Sequence, residues 1–321
     1  SQIVNFTSAA LLMTGTYFDF ISPTLIYLAI ALNSLVLTFD LPARQATLPS
    51  LVPKAYFVNA VSLATLIRQI AIIIGPAIAG FVIELFGVRN VYFLNACFFL
   101  TSFIILSFLT ISQTHLKNEV KFGFLSALEG IRFVRKSPII YSTMLLDFFA
   151  TFFSAATVLL PIFAKDILET GAKGLGLLYA APSVGAVVAG ITLASLGKIR
   201  AQGKILVAGV LLYGLATVAF GFSKSFPLSL FFLTLVGAGD MLSTVIRNTI
   251  RQVLTPDSLR GRMVSINMIF FAGGPQLGEM EAGVLAAMIG GPASVVIGGI
   301  GTVILTGVVA FTIPKLWKYE R

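Results

Sequence analysis

Charge is what this sequence has least of. Asp, Glu, Lys and Arg make up only 11% of its 321 residues, 13 acidic and 22 basic, where a soluble domain carries about 25%. So few charged side chains cannot cover a surface in water, and a disordered chain, a collagen-like chain and a coiled coil are excluded with it. Cysteine is nearly missing. Cys97 is single and cannot form an internal disulfide; within its apolar run it reads as a small buried hydrophobe. His115 is likewise the one histidine, and alone it makes no metal site. The pairs Gly273-Gly274, Gly290-Gly291 and Gly298-Gly299 are not followed by Gly-Lys-Ser/Thr. No phosphate-binding loop, direct ATP hydrolysis or other enzymatic chemistry is therefore expected.

What fills the sequence is apolar surface. Hydrophobic residues make up 57%, Phe alone accounts for 28, and the mean hydropathy is +0.97. Crossing about 30 Å of hydrocarbon takes around 20 apolar residues in a helix. Ten segments qualify, roughly 3–18, 23–43, 58–84, 90–112, 138–163, 173–197, 204–222, 226–250, 263–288 and 291–313. Their runs are long and do not alternate, so the chain reads as an all-α polytopic membrane protein and not a barrel. The net charge of +9 then records Lys and Arg gathered on the cytoplasmic side, with no nucleic acid implied. Seventeen basic residues fall on one set of alternating loops and the tail, and four on the other. This places both visible ends in the cytoplasm, with Trp317 as an interfacial anchor. The longest polar connection, 113–137, carries Phe124, Leu128, Ile131 and Val134 at helical spacing beside Arg132, Arg135 and Lys136. It reads as a cytoplasmic linker with an amphipathic helix at the interface.

A weak repeat organises the chain. DLPARQATLPSLVPKAYFVNAVS, from Asp40 to Ser62, matches STVIRNTIRQVLTPDSLRGRMVS, from Ser243 to Ser265, at an offset of 203. Arg44 then falls on Arg247 and Pro53 on Pro256; a slightly shorter offset puts Gly75-Pro76 on Gly274-Pro275. Parallel repeats of this kind are a transporter architecture. The second half, 138–321, has six spans, whereas the first, 1–112, shows four. The offset predicts two helices ahead of Ser1, which makes the visible ones the third to twelfth of twelve.

These motifs resemble the major facilitator superfamily, and within it the branch of enterobactin and drug exporters. The carrying stretches are Leu41 to Pro53 with Asn59-Ala60, then Arg247-Asn248 and Thr255-Pro256 through Arg260-Gly261-Arg262. The resemblance implies a monomer in the bacterial inner membrane whose two six-helix halves rock about a central site. It would export a small organic molecule, a siderophore or drug, in exchange for protons, with no cofactor beyond the coupling proton. A lipid or nutrient transporter of the same fold, or an inactive fragment or membrane scaffold, is the alternative. Ile72 to Gly80, IIIGPAIAG, keeps Gly75, Pro76 and Gly80 of the family's antiporter motif, while Ala79 stands where a further glycine is expected. The family's motif between helices two and three would precede Ser1. Its echo, Leu196 to Lys204, lacks the acidic member.

A charge at the bilayer centre costs about 2.5–3.5 kcal/mol on insertion scales and needs a partner or a polar cavity. Asp147, Asp240, Glu279, Glu281 and Arg68 are the embedded candidates. One or more of Asp147, Asp240 and Glu279 is expected to carry the proton, with a static interhelical ion pair as the competing reading. Glu279 and Glu281, two apart, do not share a helical face. Arg68 would bind an anionic substrate or pair with an embedded acid. Arg44 and Arg247 are read as gate contacts or as caps on helix-end carbonyls. Phe148, Phe149, Phe152 and Phe153 would face lipid or line an apolar cavity.

Overall fold

Proline sets the ends of the two helices that the repeat brackets. The residue before a proline is driven out of the helical region, and Val52 and Thr255, followed by Pro53 and Pro256, are both extended, at φ −121°, ψ 131° and φ −97°, ψ 121°. The computed structural model describes residues 1–52, 57–108, 131–195, 201–256 and 259–320, without some side chains in 41–69 and that of Arg260. Each of the ten apolar segments is helical: α1 Gln2–Tyr17, α2 Pro23–Leu51, α3 Phe57–Phe86, α4 Val88–Ser107, α5 Pro138–Phe153, α6 Gly171–Ser195, α7 Gln202–Phe222, α8 Phe226–Leu254, α9 Arg260–Ile289 and α10 Gly291–Thr312. A short turn, α11 Pro314–Trp317, follows.

Among the described residues, seven of these are long and apolar enough to cross a membrane: α2, α4, α5 with its continuation, α6, α7, α8 and α10. The expectation of ten is corrected on that measure. Helix α1 has only 16 residues, α3 contributes the shorter apolar stretch Ile70–Phe86, and Arg260, Arg262, Glu279 and Glu281 make α9 more polar.

The repeat reappears in the helix bounds. Helices α2 and α8 begin 203 residues apart, as do α3 and α9, and α4 and α10. Both copies also join their last two helices through one glycine at positive φ, Gly87 at 78° and Gly290 at 88°. Only glycine takes that conformation without steric cost. Helices α2 and α8 run further than the apolar segments alone suggest, so Arg44 and Arg247 both lie inside helices, seven residues before the end.

The chain divides into two compact units, Ser1–Val120 and Lys121–Arg321. In the first, α1 packs on α4 and α2, and α3 on α4. Its buried core is made of small residues such as Ala9, Ala29 and Ala96. Cys97, next to Ala96, is exposed on α4 and not buried, because that helix buries only a narrow face. In the second unit α8 lies against both α6 and α7, α10 against α7, and α5 against α9 and α10. Three apolar clusters fill it, built around Phe163 with Phe220, Leu206 with Ile250, and Ile140 with Met144. Val134 joins the last cluster from a helical stretch at 131–136. The rest of the amphipathic linker, with His115, Phe124 and Leu128, lies outside the described residues, as do 196–200 of the motif echo.

Helices α6 and α8 cross at glycines on both sides. A Cβ on Gly185 would overlap the Thr234 carbonyl, and one on Gly237 the Pro182 carbonyl. The outward faces remain apolar: Phe311 is 88% and Phe108 81% exposed, a surface suited to lipid.

The segment 138–163 is not one continuous helix. Helix α5 stops at Phe153, and a 3₁₀ turn, Ala156–Leu159, and a wide turn, Phe163–Ile167, follow it. Pro161, which brings no N–H to the helical ladder, sits within the short helical piece between them.

Candidate functional site

Two polar stripes face each other in the second unit. On α8, Asp240, Thr244, Arg247 and Arg251 follow a spacing of four, three and four, which places them on one side of the helix. On α5, Thr143, Asp147, Thr151 and, just past its end, Ser154 form the matching row.

Asp147 stands at the centre of the contact. Its Oδ1 lies 3.1 Å from Arg247 Nη2 and its Oδ2 3.1 Å from Arg251 Nη2. The three side chains are buried, 2–3% exposed. Arg251 is held at three points, donating from Nε to Thr143 Oγ1 at 3.0 Å, and from Nη2 to the Thr143 carbonyl at 2.8 Å and to Asp147 Oδ2 at 3.1 Å. Arg247 is held less completely. Its Nη2 donates to Thr244 Oγ1 at 2.6 Å and reaches Asp240 Oδ1 at 3.7 Å, while its Nε and Asp147 Oδ1 make no hydrogen bond. Thr244 Oγ1 donates in turn to Asp240 Oδ1 at 3.4 Å. Two carboxylates and two guanidiniums leave the group neutral, the condition under which charges persist away from water.

Asp240 differs from the other three. Its side chain is 49% exposed, and it lines a cavity of about 190 Å³ with Thr151, Ser154, Thr157, Tyr213 and Glu279. The break after α5 forms part of this wall. The Ser154 carbonyl accepts a hydrogen bond from Tyr213 Oη at 3.2 Å, and Ser154 Oγ pairs with Thr302 Oγ1 at 2.8 Å. Interrupted backbone of this sort is tolerated at membrane depth where it lines a cavity. The first unit holds a larger hollow, about 330 Å³, lined by Asn5, Asn33, Ser34, Asp40 and Phe99 among others. The second-unit cavity is the better candidate because it adjoins the buried ion network.

The structure therefore joins Asp147, Asp240 and Arg247 in one network and sets Glu279 and Pro275 in the same cavity wall as Asp240. Glu281, half-buried on α9, is not part of that wall. Arg247 is not a carbonyl cap: it sits well inside α8 and spends its charge on two carboxylates. Arg251 is a site residue that sequence reasoning missed, having been counted with the cytoplasmic loops. The side chains of Arg44 and Arg68 lie outside the described residues.

Gly274 packs tightly, since a Cβ there would meet Thr151 Oγ1 and the Phe148 carbonyl of α5. Its repeat partner Gly75 does not: an added Cβ meets nothing within 4 Å among the described residues. Pro76 lies inside α3, and Gly80 is buried there. Phe148 and Phe152 stack with ring centroids 6.1 Å apart, and Phe148 also meets Phe270 of α9 edge-on, so these rings join α5 to its neighbour. Among the described residues no three His, Cys, Asp or Glu side chains are grouped to hold a metal ion.

Comparison with known proteins follows the same architecture. Residues 1–321 match the family described as transmembrane secretion effector. The chain is 27% identical over 285 residues to the multidrug efflux pump Tap of Mycolicibacterium fortuitum, covering 85% of this chain and 68% of Tap. It is 28% identical over 265 residues to the enterobactin exporter EntS of Shigella boydii, covering 82% of this chain and 63% of EntS, less than two thirds of that relative. Among solved structures, an inward-facing, unoccupied bacterial homologue of the human lysosomal transporter Spinster superposes with a TM-score of 0.62. That match covers 98% of this chain and 82% of the other at 13% identity, a likeness of fold alone. The chain belongs to the transmembrane secretion effector family of the major facilitator superfamily, a family of membrane transporters and not of enzymes.

Proposed function

We propose that this protein is a proton-coupled secondary exporter of a small organic molecule, a siderophore or a drug-like compound, in the bacterial inner membrane. Both visible ends face the cytoplasm, and the protein acts as a monomer. One observation carries the reading: a neutral, buried ion network reaches a cavity through a single half-exposed carboxylate, Asp240. A packing role needs no such outlet, whereas alternating access needs a charge that binding can influence. The 203-residue spacing of helix starts supports the repeat architecture of a transporter, and Tap and EntS, both exporters by name, support the direction.

The network divides the labour. Asp147 is locked between two arginines and serves as the static clasp of α5 on α8. Asp240 and Glu279, which face the cavity, exchange the proton. The full-length protein in proteoliposomes under an imposed pH gradient tests this, with substrate flux followed for native protein, D147N, D240N and E279Q. D240N and E279Q are expected to uncouple substrate flux from the gradient. Unchanged coupling in D240N and E279Q refutes the proposal.

A further inference from the structure

We infer that the second-unit cavity seats the ammonium head of an organic cation between Asp240 and Glu279, and that Arg247 competes with this cation for Asp240. The inference rests on the exporter reading and names its substrate class. The cavity is lined by two carboxylates, hydroxyl groups and apolar walls of Leu233 and Val236 and, among the described residues, by no basic side chain. Among the described residues Glu279 makes no ion pair, so its charge is open to a ligand. Neither nearby guanidinium lines the cavity: both lie buried against Asp147, and Arg247 reaches Asp240 only at 3.7 Å. Asp240 is balanced by Arg247 at 3.7 Å but Glu279 is not, so an anion entering here meets like charge and a cation meets the reverse. At about 190 Å³, set against roughly 30 Å³ for a water in the liquid, the space holds a trimethylammonium head.

The contacts of Arg247 turn occupancy into a signal. Its contact with Asp240, at 3.7 Å, is the long arm of a shared pair whose other arm, to Asp147, is 3.1 Å. Arg247 Nε and Asp147 Oδ1 both lack hydrogen-bond partners. A cation on Asp240 therefore releases Arg247 towards a carboxylate oxygen that has bonding capacity to spare. The α5–α8 clasp tightens as the cavity fills, and a proton arriving at Asp240 displaces the cation.

The test is equilibrium binding of radiolabelled benzyltrimethylammonium to the full-length protein in lipid nanodiscs, with phenylmethanesulfonate as a similarly shaped anion. The cation is expected to bind saturably and the sulfonate not to compete. D240N and E279Q should each weaken cation binding at least tenfold, and D240E should restore it to within about threefold. R247Q should tighten it severalfold: Asp240 loses its competitor while Asp147 keeps Arg251, a sign opposite to that of mere structural damage. Sulfonate binding as tight as that of the cation, or a folded R247Q that binds the cation no more tightly than native protein, overturns the inference. If R247Q does not fold, E279Q decides alone, tenfold loss supporting the inference and unchanged affinity ending it. No gradient is present in this assay. Cation binding without gradient-driven export would thus overturn the exporter reading while leaving this site standing, and export with charge-blind binding would do the reverse.

Discussion

Replacing Asp147 with Asn keeps the side chain's size and removes the one carboxylate that two buried guanidiniums share. Arg251, 3.1 Å from Asp147 Oδ2, is left with the hydroxyl and carbonyl of Thr143 and no counter-charge; Arg247 keeps Asp240 at 3.7 Å. Removing one partner of a buried ion pair costs about 3–5 kcal/mol, most of it from the charge stranded behind. At about 2.1 cal/mol/K of unfolding entropy per residue, a chain of 321 residues shifts its melting temperature by about 1.5 °C per kcal/mol, so a fall of about 5–7 °C is expected in detergent-solubilised protein followed by tryptophan fluorescence. Two double variants sharpen the expectation. D147N/R251Q leaves Arg247 with Asp240, a neutral pair, and should recover at least half of the loss. D147N/R247Q strands Arg251 in the interior and Asp240 at the cavity, and should recover little. A melting temperature for D147N within about 2 °C of native, or the reverse order of the two doubles, refutes the claim that these charges form one desolvated and balanced set.

Thr143→Val deletes the oxygen that receives Arg251 Nε but keeps the backbone carbonyl. The lost hydrogen bond to a charged group predicts a cost of about 1.5–3 kcal/mol, and the same melt should show a smaller fall than for D147N. Gly274→Ala pushes a methyl into Thr151 and the Phe148 carbonyl and should destabilise by about 1–3 kcal/mol. Gly75→Ala, which meets no described atom within 4 Å, should stay within about 0.5 kcal/mol of native. Equal melting temperatures for the two alanine variants would contradict the difference in packing between the repeats.

Much of the fold was legible in the sequence because lipid imposes so plain a rule. Every spanning segment must satisfy its own backbone and show carbon outward, and ten apolar runs did mark ten helices. The repeat was legible too, down to the offset shared by three pairs of helix starts. Arg251 was hidden by that same rule. Near the end of an apolar run, a positive residue reads as the start of a cytoplasmic loop, yet Pro256 lets α8 continue to Leu254 and carries Arg251 inward. The four-three-four spacing from Asp240 to Arg251 was the available signal, and an embedded Asp147 in need of a counter-charge was its complement. The halt of α5 at Phe153 left no such trace, because Ser154 and Ala155 are at home in a helix and the break depends on what Tyr213 and Thr302 offer across the cavity. The exposure of Cys97 was equally invisible: which side of α4 meets a neighbour is a matter of tertiary packing.

The repeat copies helix starts but not every residue type of the ion network. At the 203-residue offset Arg247 corresponds to Arg44, whereas Asp240 and Arg251 correspond to Leu37 and Leu48. Since a buried charge is tolerated only with its counter-charge, a lineage of such proteins has few passable routes through this site: Asp147 enters or leaves with Arg251, and Arg247 with Asp240. The second pair touches the cavity and the first does not. Substitution at Asp240 and Arg247 therefore alters charge at the cavity while the Asp147–Arg251 pair between α5 and α8 stays in place.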